Sequence, residues 1–217
     1  MTDVNDIVVR DFRREDRESL RDISCRTAFP GHAFTRFIDD GGILADALTL
    51  YFTDYEPESS FVITKGGKVI GYLTGALSAR RMRRVFNCRI LARLVGEGLK
   101  RGLVLRKNTR VFLSQVFLSF LRGEFFAPDF SKEYPAAFHI NIDRGFQRQG
   151  LGKMLVERYT DFLRENEVSG VHCRTRSEDA GKFFVRLGFN VLYRGEYSYL
   201  RYYFKRNFPY YILGKKV

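Results

Sequence analysis

Between residues 136 and 163 the apolar pattern of the chain changes period, and glycines mark the change. Ala137-Phe138-His139-Ile140-Asn141-Ile142 alternates as a half-buried strand does, with Phe138, Ile140 and Ile142 on one face. Further on, Leu151, Met154, Leu155, Tyr159, Phe162 and Leu163 recur at helical spacing. The hexad Gln147-Arg148-Gln149-Gly150-Leu151-Gly152 therefore joins a strand to a helix N-terminus. The first amides of a helix have no acceptor within it, and the helix dipole favours an anion there. Glycine removes the Cβ that would hold a phosphate off the backbone. The segment reads as a phosphate cradle. It is not a Walker A loop: Gly145 and Gly150 are correctly separated, but Leu151 stands where lysine is required. It is not a dinucleotide fingerprint either, because Leu155 occupies the place of the third glycine.

A second segment supports the first. In Ser177-Glu178-Asp179-Ala180-Gly181-Lys182-Phe183-Phe184-Val185-Arg186-Leu187-Gly188-Phe189, the residues Ala180, Phe183, Phe184 and Leu187 make a helical core face. Gly188 fits the helix C-cap. Together the two segments resemble the paired signatures of the GNAT superfamily of acyl-CoA-dependent N-acyltransferases. The resemblance implies that the amides of Gln147, Arg148, Gln149, Gly150, Leu151, Gly152 and Lys153 hold the pyrophosphate of coenzyme A, with Arg148 or Lys153 adding charge. It also implies that backbone groups of the preceding strand, at Ile140, Asn141 and Ile142, pair with the pantetheine arm. Ser177, Phe183 and Phe184 complete the implied cofactor site. Two positions depart from the pattern: Ser177 replaces Asn, and Phe184 replaces a Tyr whose hydroxyl in many relatives protonates the leaving thiolate. No metal site is expected.

The remaining elements follow the same fold. Ile7–Arg10 reads as a strand, residues 14–27 as a helix and 43–54 as a second helix ending before Pro57. Phe61–Thr64 and Val69–Leu73 flank Gly66-Gly67, a hairpin signal because both turn positions tolerate positive φ. Residues 79–123 read as two amphipathic helices broken near Gly102, and strand and helix alternate from 136 to 189. A last hairpin is expected around Arg194-Gly195-Glu196. This is the order of a GNAT α/β (α+β) fold: a mixed, mostly antiparallel sheet flanked by helices, in one domain over residues 1–217. A helical basic insertion, residues 79–133, falls between the third and fourth strands. Glu56–Val62, Val69–Tyr72, Tyr134–Ile140 and Gly170–His172 are similar to a narrower group, the acetyltransferase-like domains related to the C-terminal part of O-GlcNAcases.

Charge is concentrated in one place. The chain of 217 residues carries a net +12, and residues 79–123 alone hold twelve basic side chains against one acid, Glu97. An apolar content of 45% argues against whole-chain disorder. No leader-like apolar run opens the sequence, and the longest apolar stretch, Val111–Leu121, is shorter than the roughly 20 residues of a membrane span. Cys25, Cys88 and Cys173 are spaced as free thiols of a reducing cytoplasm.

The candidate chemistry is acyl transfer from acetyl-CoA to a small-molecule or peptide amine. His139 has an ordinary pKa suited to a base or a water-mediated relay, and Asn141 shares its face and can orient it. Tyr55, Glu56 and Tyr72 are other candidates near an acceptor cleft. Tyr199 and Tyr203 are candidates for the acid that Phe184 cannot be. His172, beside Cys173, reads as a strand residue. The basic segment has three readings: a helical hairpin packed on the core through Phe86, Ile90, Leu94, Phe112, Val116 and Phe120, which also offers a homodimer surface; a lid favouring acidic substrates; or an element that meets anionic lipid or nucleic acid. The rival to an enzyme is a non-catalytic acyl-CoA-binding module tethered through that segment.

Overall fold

The computed structural model describes residues 7–29 and 34–217. Seven strands form one sheet: β1 (Ile7–Asp11), β2 (Ser60–Lys65), β3 (Lys68–Ala76), β4 (Ala136–Ile142), β5 (Gly170–Thr175), β6 (Asn190–Tyr197) and β7 (Phe208–Lys216), in the order β1-β2-β3-β4-β5-β7-β6. Only β4 and β5 run parallel. The β2–β3 hairpin turns on Gly66 and Gly67, both at positive φ (54° and 75°), as its right-handed twist requires.

Helices cover both faces. On one, α6 (Leu151–Glu165) and α7 (Glu178–Arg186) lay Leu155, Val156, Tyr159, Leu163 and Phe184 on Phe61, Ile63, Ile70, Leu73 and Phe138. The buried Tyr159 hydroxyl donates to the carbonyls of Ala137 and Ala76, at 3.1 and 3.3 Å, which ties α6 to both central strands. Gly75 makes room for this ring, since a Cβ there would lie 2.3 Å from it. On the other face, α1 (Arg17–Thr27) and α2 (Gly41–Asp54) pack together, and Leu20 and Ile23 meet Val62 and Tyr72.

Between β3 and β4 the chain forms α3 (Ala79–Val85), a π-helical turn (Phe86–Ile90), α4 (Leu91–Lys100), a break at Gly102 (φ 62°) and α5 (Lys107–Leu121). Ile90, Phe86 and Leu94 pack on α2, and Phe112 and Val116 join the cluster around Phe29 and Phe37. Phe120 does not pack on the core. It is 48% exposed and meets Phe126, because its neighbour Ser119 takes the inward position and bonds to Glu124. The turn between α4 and α5 is pinned by Arg101 to Asp40 (3.0 Å) and by the Thr109 amide to Asp39 (3.0 Å).

The last hairpin does not turn at Gly195. β6 runs straight through Arg194-Gly195-Glu196, and the reversal falls at 198–207, around the short α8 (Arg201–Phe204). Gly195 serves close packing instead: a Cβ there would lie 2.5 Å from the Tyr210 ring. No helix among the described residues is long and apolar enough to cross a membrane.

Candidate active site

The two central strands part company halfway along β4. β4 pairs with β3 from Ala137 to Ile142, but with β5 only at Ala136, Ala137 and Phe138. β5 meanwhile stays on β7 through Thr175. Beyond Phe138 an opening therefore forms between them. The Asp143 amide donates to the Ile70 carbonyl at 2.8 Å, so odd-numbered residues of β4 direct their backbone groups to β3. By alternation, the backbone groups of Ile140 and Ile142 face the opening, whereas those of Asn141, expected beside them, turn to β3. There the Ile142 carbonyl accepts from Gln147 Nε2 at 3.0 Å. An extended ligand can add to such an edge as a strand does.

The hexad closes one end of this opening. Arg148 (φ 63°) and Gly150 (φ 80°) are both left-handed, and α6 starts at Leu151. The earliest α6 amide with a helical acceptor is that of Lys153, on Gly150 O at 2.9 Å; the amides of Leu151 and Gly152 precede it. The Leu151 side chain is buried in the core, whereas Gln147, Arg148, Gln149 and Lys153 are exposed. A Cβ on Gly152 would come within 3.2 Å of Phe183 and 3.8 Å of Ile140, so glycine lets α6, α7 and β4 converge here. Ser177 caps α7, its hydroxyl accepting from the Ala180 amide at 3.3 Å. Phe184 lies in the core against Phe138 and Phe189 (centroids 5.7 and 5.4 Å). An open strand edge, unpaired helix amides and flanking cations fit a pyrophosphate carried on an extended arm. Among the described residues, no group of three or more His, Cys, Asp or Glu is placed to hold a metal.

Asn141 joins two side chains on the other face of β4. It stands opposite Tyr72 in the β3 register, and its Nδ2 donates to Tyr72 Oη at 2.7 Å. The same nitrogen lies 2.9 Å from His139 Nε2, which assigns Nε2 as acceptor and leaves the ring proton on Nδ1. Burial, reinforced by the Arg176 charge, holds the His139 pKa down to about 4, so the ring is neutral near pH 7. Tyr72 is fully buried behind Asn141, and burial raises its pKa. Its hydroxyl meets the site through Asn141. Arg176 donates to Tyr199 Oη at 2.5 Å and to the Ala28 carbonyl at 2.9 Å. Nothing in composition or periodicity marks Arg176; its only signal is its position just before the second signature.

Other candidates fall elsewhere. Glu56 is 1% exposed and committed to three donors, the Tyr51 hydroxyl (2.6 Å), the Ser59 hydroxyl (3.0 Å) and the Leu77 amide (2.6 Å). It is buried and ties the end of α2 to the residue that follows β3. Tyr55 stacks on Tyr51. Tyr203 packs on Phe37 with its hydroxyl buried and unpartnered, and that burial raises its pKa. His172 sits on buried β5 with Nδ1 on the Tyr134 carbonyl at 2.8 Å. A separate shallow depression between Asp11, Phe12, Glu58, Arg158 and Phe162 lies away from the opening, and its Arg158 is already paired with Asp11 and Glu165.

A mixed seven-stranded sheet whose central strands part before a glycine-led helix start is the architecture on which the family comparison falls. The chain belongs to the acetyltransferase (GNAT) family, which it matches over residues 18–189, and is an acetyltransferase that uses acetyl-CoA. No curated protein matches the sequence. Among solved structures it is similar to SsHAT, at 24% identity and TM-score 0.70, over 97% of this chain and 98% of that one. It is also similar to yncA, a putative acetyltransferase from Salmonella typhimurium determined with its cofactor acetyl-CoA (14% identity, TM-score 0.58, 98% and 94% covered). A third is the Drosophila melanogaster polyamine N-acetyltransferase that forms N-acetylagmatine (13% identity, TM-score 0.59, 98% and 100% covered).

Proposed function

We propose that the chain, a single domain with an inserted basic segment at 79–133, transfers the acetyl group of acetyl-CoA directly to the amine of a small molecule or peptide. The observation that carries this is the parting of β4 from β5 at Phe138, directly before the left-handed start of α6. Bound acetyl-CoA supplies an activated thioester carbonyl. The edge groups of Ile140 and Ile142 hold the arm that carries it. The amides from Gln147 to Lys153 take the phosphates, with Arg148 and Lys153 adding charge. Phe183 borders the same junction through Gly152.

On the acceptor side, the neutral His139 receives the amine proton at Nε2 when that nitrogen exchanges Asn141 for substrate. The amine enters unprotonated, and the proton His139 takes is the one the nitrogen sheds as it bonds to the thioester carbon; a charged ring is disfavoured by burial and by Arg176, so that proton passes on to water. Asn141 and Tyr72 keep the ring in place. Tyr199, whose hydroxyl oxygen accepts from Arg176, is the donor we assign in place of Phe184. Three free cysteines support a reducing, cytoplasmic setting. The residues shared with the O-GlcNAcase-related domains support placement in that narrower group.

Isothermal titration with acetyl-CoA, followed by thiol release against a panel of amines, tests the reading. Binding with turnover on one amine class supports it. Binding without turnover on any amine supports the second reading, a non-catalytic acyl-CoA module, which Phe184 and the weakened basicity of His139 favour. Absence of binding would sink both.

A further inference from the structure

Sixteen large hydrophobic side chains are exposed among the described residues, and eleven of them lie between Leu91 and Phe126. They are not scattered. On α4, Leu91, Val95 and Leu99 recur four residues apart and form one outward stripe. On α5, Leu113, Phe117 and Leu121 do the same, and Phe117 and Leu121 are 60% and 65% exposed. Leu105, in the turn between the helices, is 78% exposed. The inward faces of the same helices are already satisfied by Ile90, Leu94, Phe112 and Val116. Each helix thus has two apolar sides, one of which the fold covers.

The cations sit with the uncovered side. Arg106, Lys107 and Arg110 are exposed at the start of α5. At about 100° per residue Arg110 falls on the Leu113–Phe117–Leu121 face and Lys107 lies about 40° beyond Leu121, at its rim, while Arg106 is the extended residue that precedes the helix. Residues 79–123 hold twelve bases and one acid. Aliphatic and aromatic side chains beside a cationic rim, on a helix, are what an anionic lipid surface accepts: the apolar groups enter the acyl boundary and the cations meet the headgroups. α5 has 15 residues, about 22 Å, which is too short to span the roughly 30 Å hydrocarbon core and suits a helix lying in the interface. A second copy of the chain fits poorly, because a symmetric contact would set this positive surface against itself. A nucleic acid would answer the cations and leave the outward leucines uncovered.

We propose that the outward face of the α4–turn–α5 segment binds anionic membrane surfaces. The inner side of α5 reaches the active site, because Phe112 packs edge-on against Tyr199 (6.0 Å), which holds Arg176. Docking therefore brings the Arg176 side of the site to within about one helix diameter, ~10 Å, of the lipid.

Co-sedimentation of the full chain with vesicles tests this, comparing phosphatidylcholine alone with mixtures containing phosphatidylserine. The expected result is retention by the mixed vesicles only, weakened by salt. The double variant F117E/L121E should abolish retention while its melting curve stays that of the native chain, since both side chains are exposed. A second variant, R106Q/K107Q/R110Q, leaves every apolar group in place and should weaken retention on the order of a hundredfold, at about fivefold per cation. The proposal is overturned if the native chain stays in the supernatant with both vesicle types. It is also overturned if retention survives F117E/L121E, which would show a polyanion site acting through charge alone. A dimer in sedimentation velocity that F117E/L121E dissociates would assign the face to a second copy and overturn it equally.

Discussion

The two halves of β4 follow one alternation and end in different surroundings. Ala137 and Phe138 are paired on both edges and buried, whereas His139–Ile142 keeps only its β3 edge and is half-buried. The side chains do not announce the difference: Phe138, Ile140 and Ile142 continue a single apolar face. What changes is the neighbouring strand. A strand paired on both sides contributes stability, and the same strand with one edge released offers its backbone to a ligand.

The largest expected effect falls on the closed half. Phe138→Ala should cost about 3–5 kcal/mol in denaturant unfolding, since the ring fills the space between Tyr159, Phe184 and Phe189. His139→Ala, one residue on, should leave stability nearly native but lower kcat/KM on the order of a hundredfold with acetyl-CoA affinity retained. If the two substitutions destabilise equally, the contrast between the halves is mistaken. Gly152→Val should place a branched side chain against Phe183 and Ile140 and weaken acetyl-CoA binding by about 1–3 kcal/mol in a titration.

The half-buried histidine also makes a prediction about pH. Its folded pKa, about 4, lies below the ordinary 6.5 of the unfolded chain. Above pH 6.5 neither state binds the proton, so that part of stability is fully present. As pH falls towards 4 the unfolded chain takes up a proton that the folded one refuses, and stability drops by at most about 1.4 kcal/mol per pH unit. His139→Gln should flatten the curve between those limits; an unchanged slope would refute the assignment. The smallest effect is expected at Ser177→Ala, which removes the α7 cap and should cost about 1 kcal/mol in thermal unfolding.

Local chemistry made much of this legible. The period change at Gln147–Gly152, the Gly66-Gly67 turn, the helix stop at Gly188 and the break at Gly102 each depend on residues within a few positions of one another, so the pattern carries them. The misread features depend on distant partners. Gly195 looked like a turn until Tyr210 was seen to occupy the space where its side chain would be. Glu56 reads as one candidate near an acceptor cleft, and only the fold gives its oxygens to Leu77, Tyr51 and Ser59. Phe120 looked like a core residue until Ser119 took the inward position.

The sequence by itself determined the glycine loop after β4, the helix that follows it and the placing of nearly all excess charge in one segment, because period, glycine and charge are properties of adjacent residues. Only the tertiary structure decided where β4 leaves β5, that the Arg176 charge acts on His139, and which side of α5 is left uncovered. Each of these is a relation between segments far apart in the chain, and packing alone determines which edges and faces are covered.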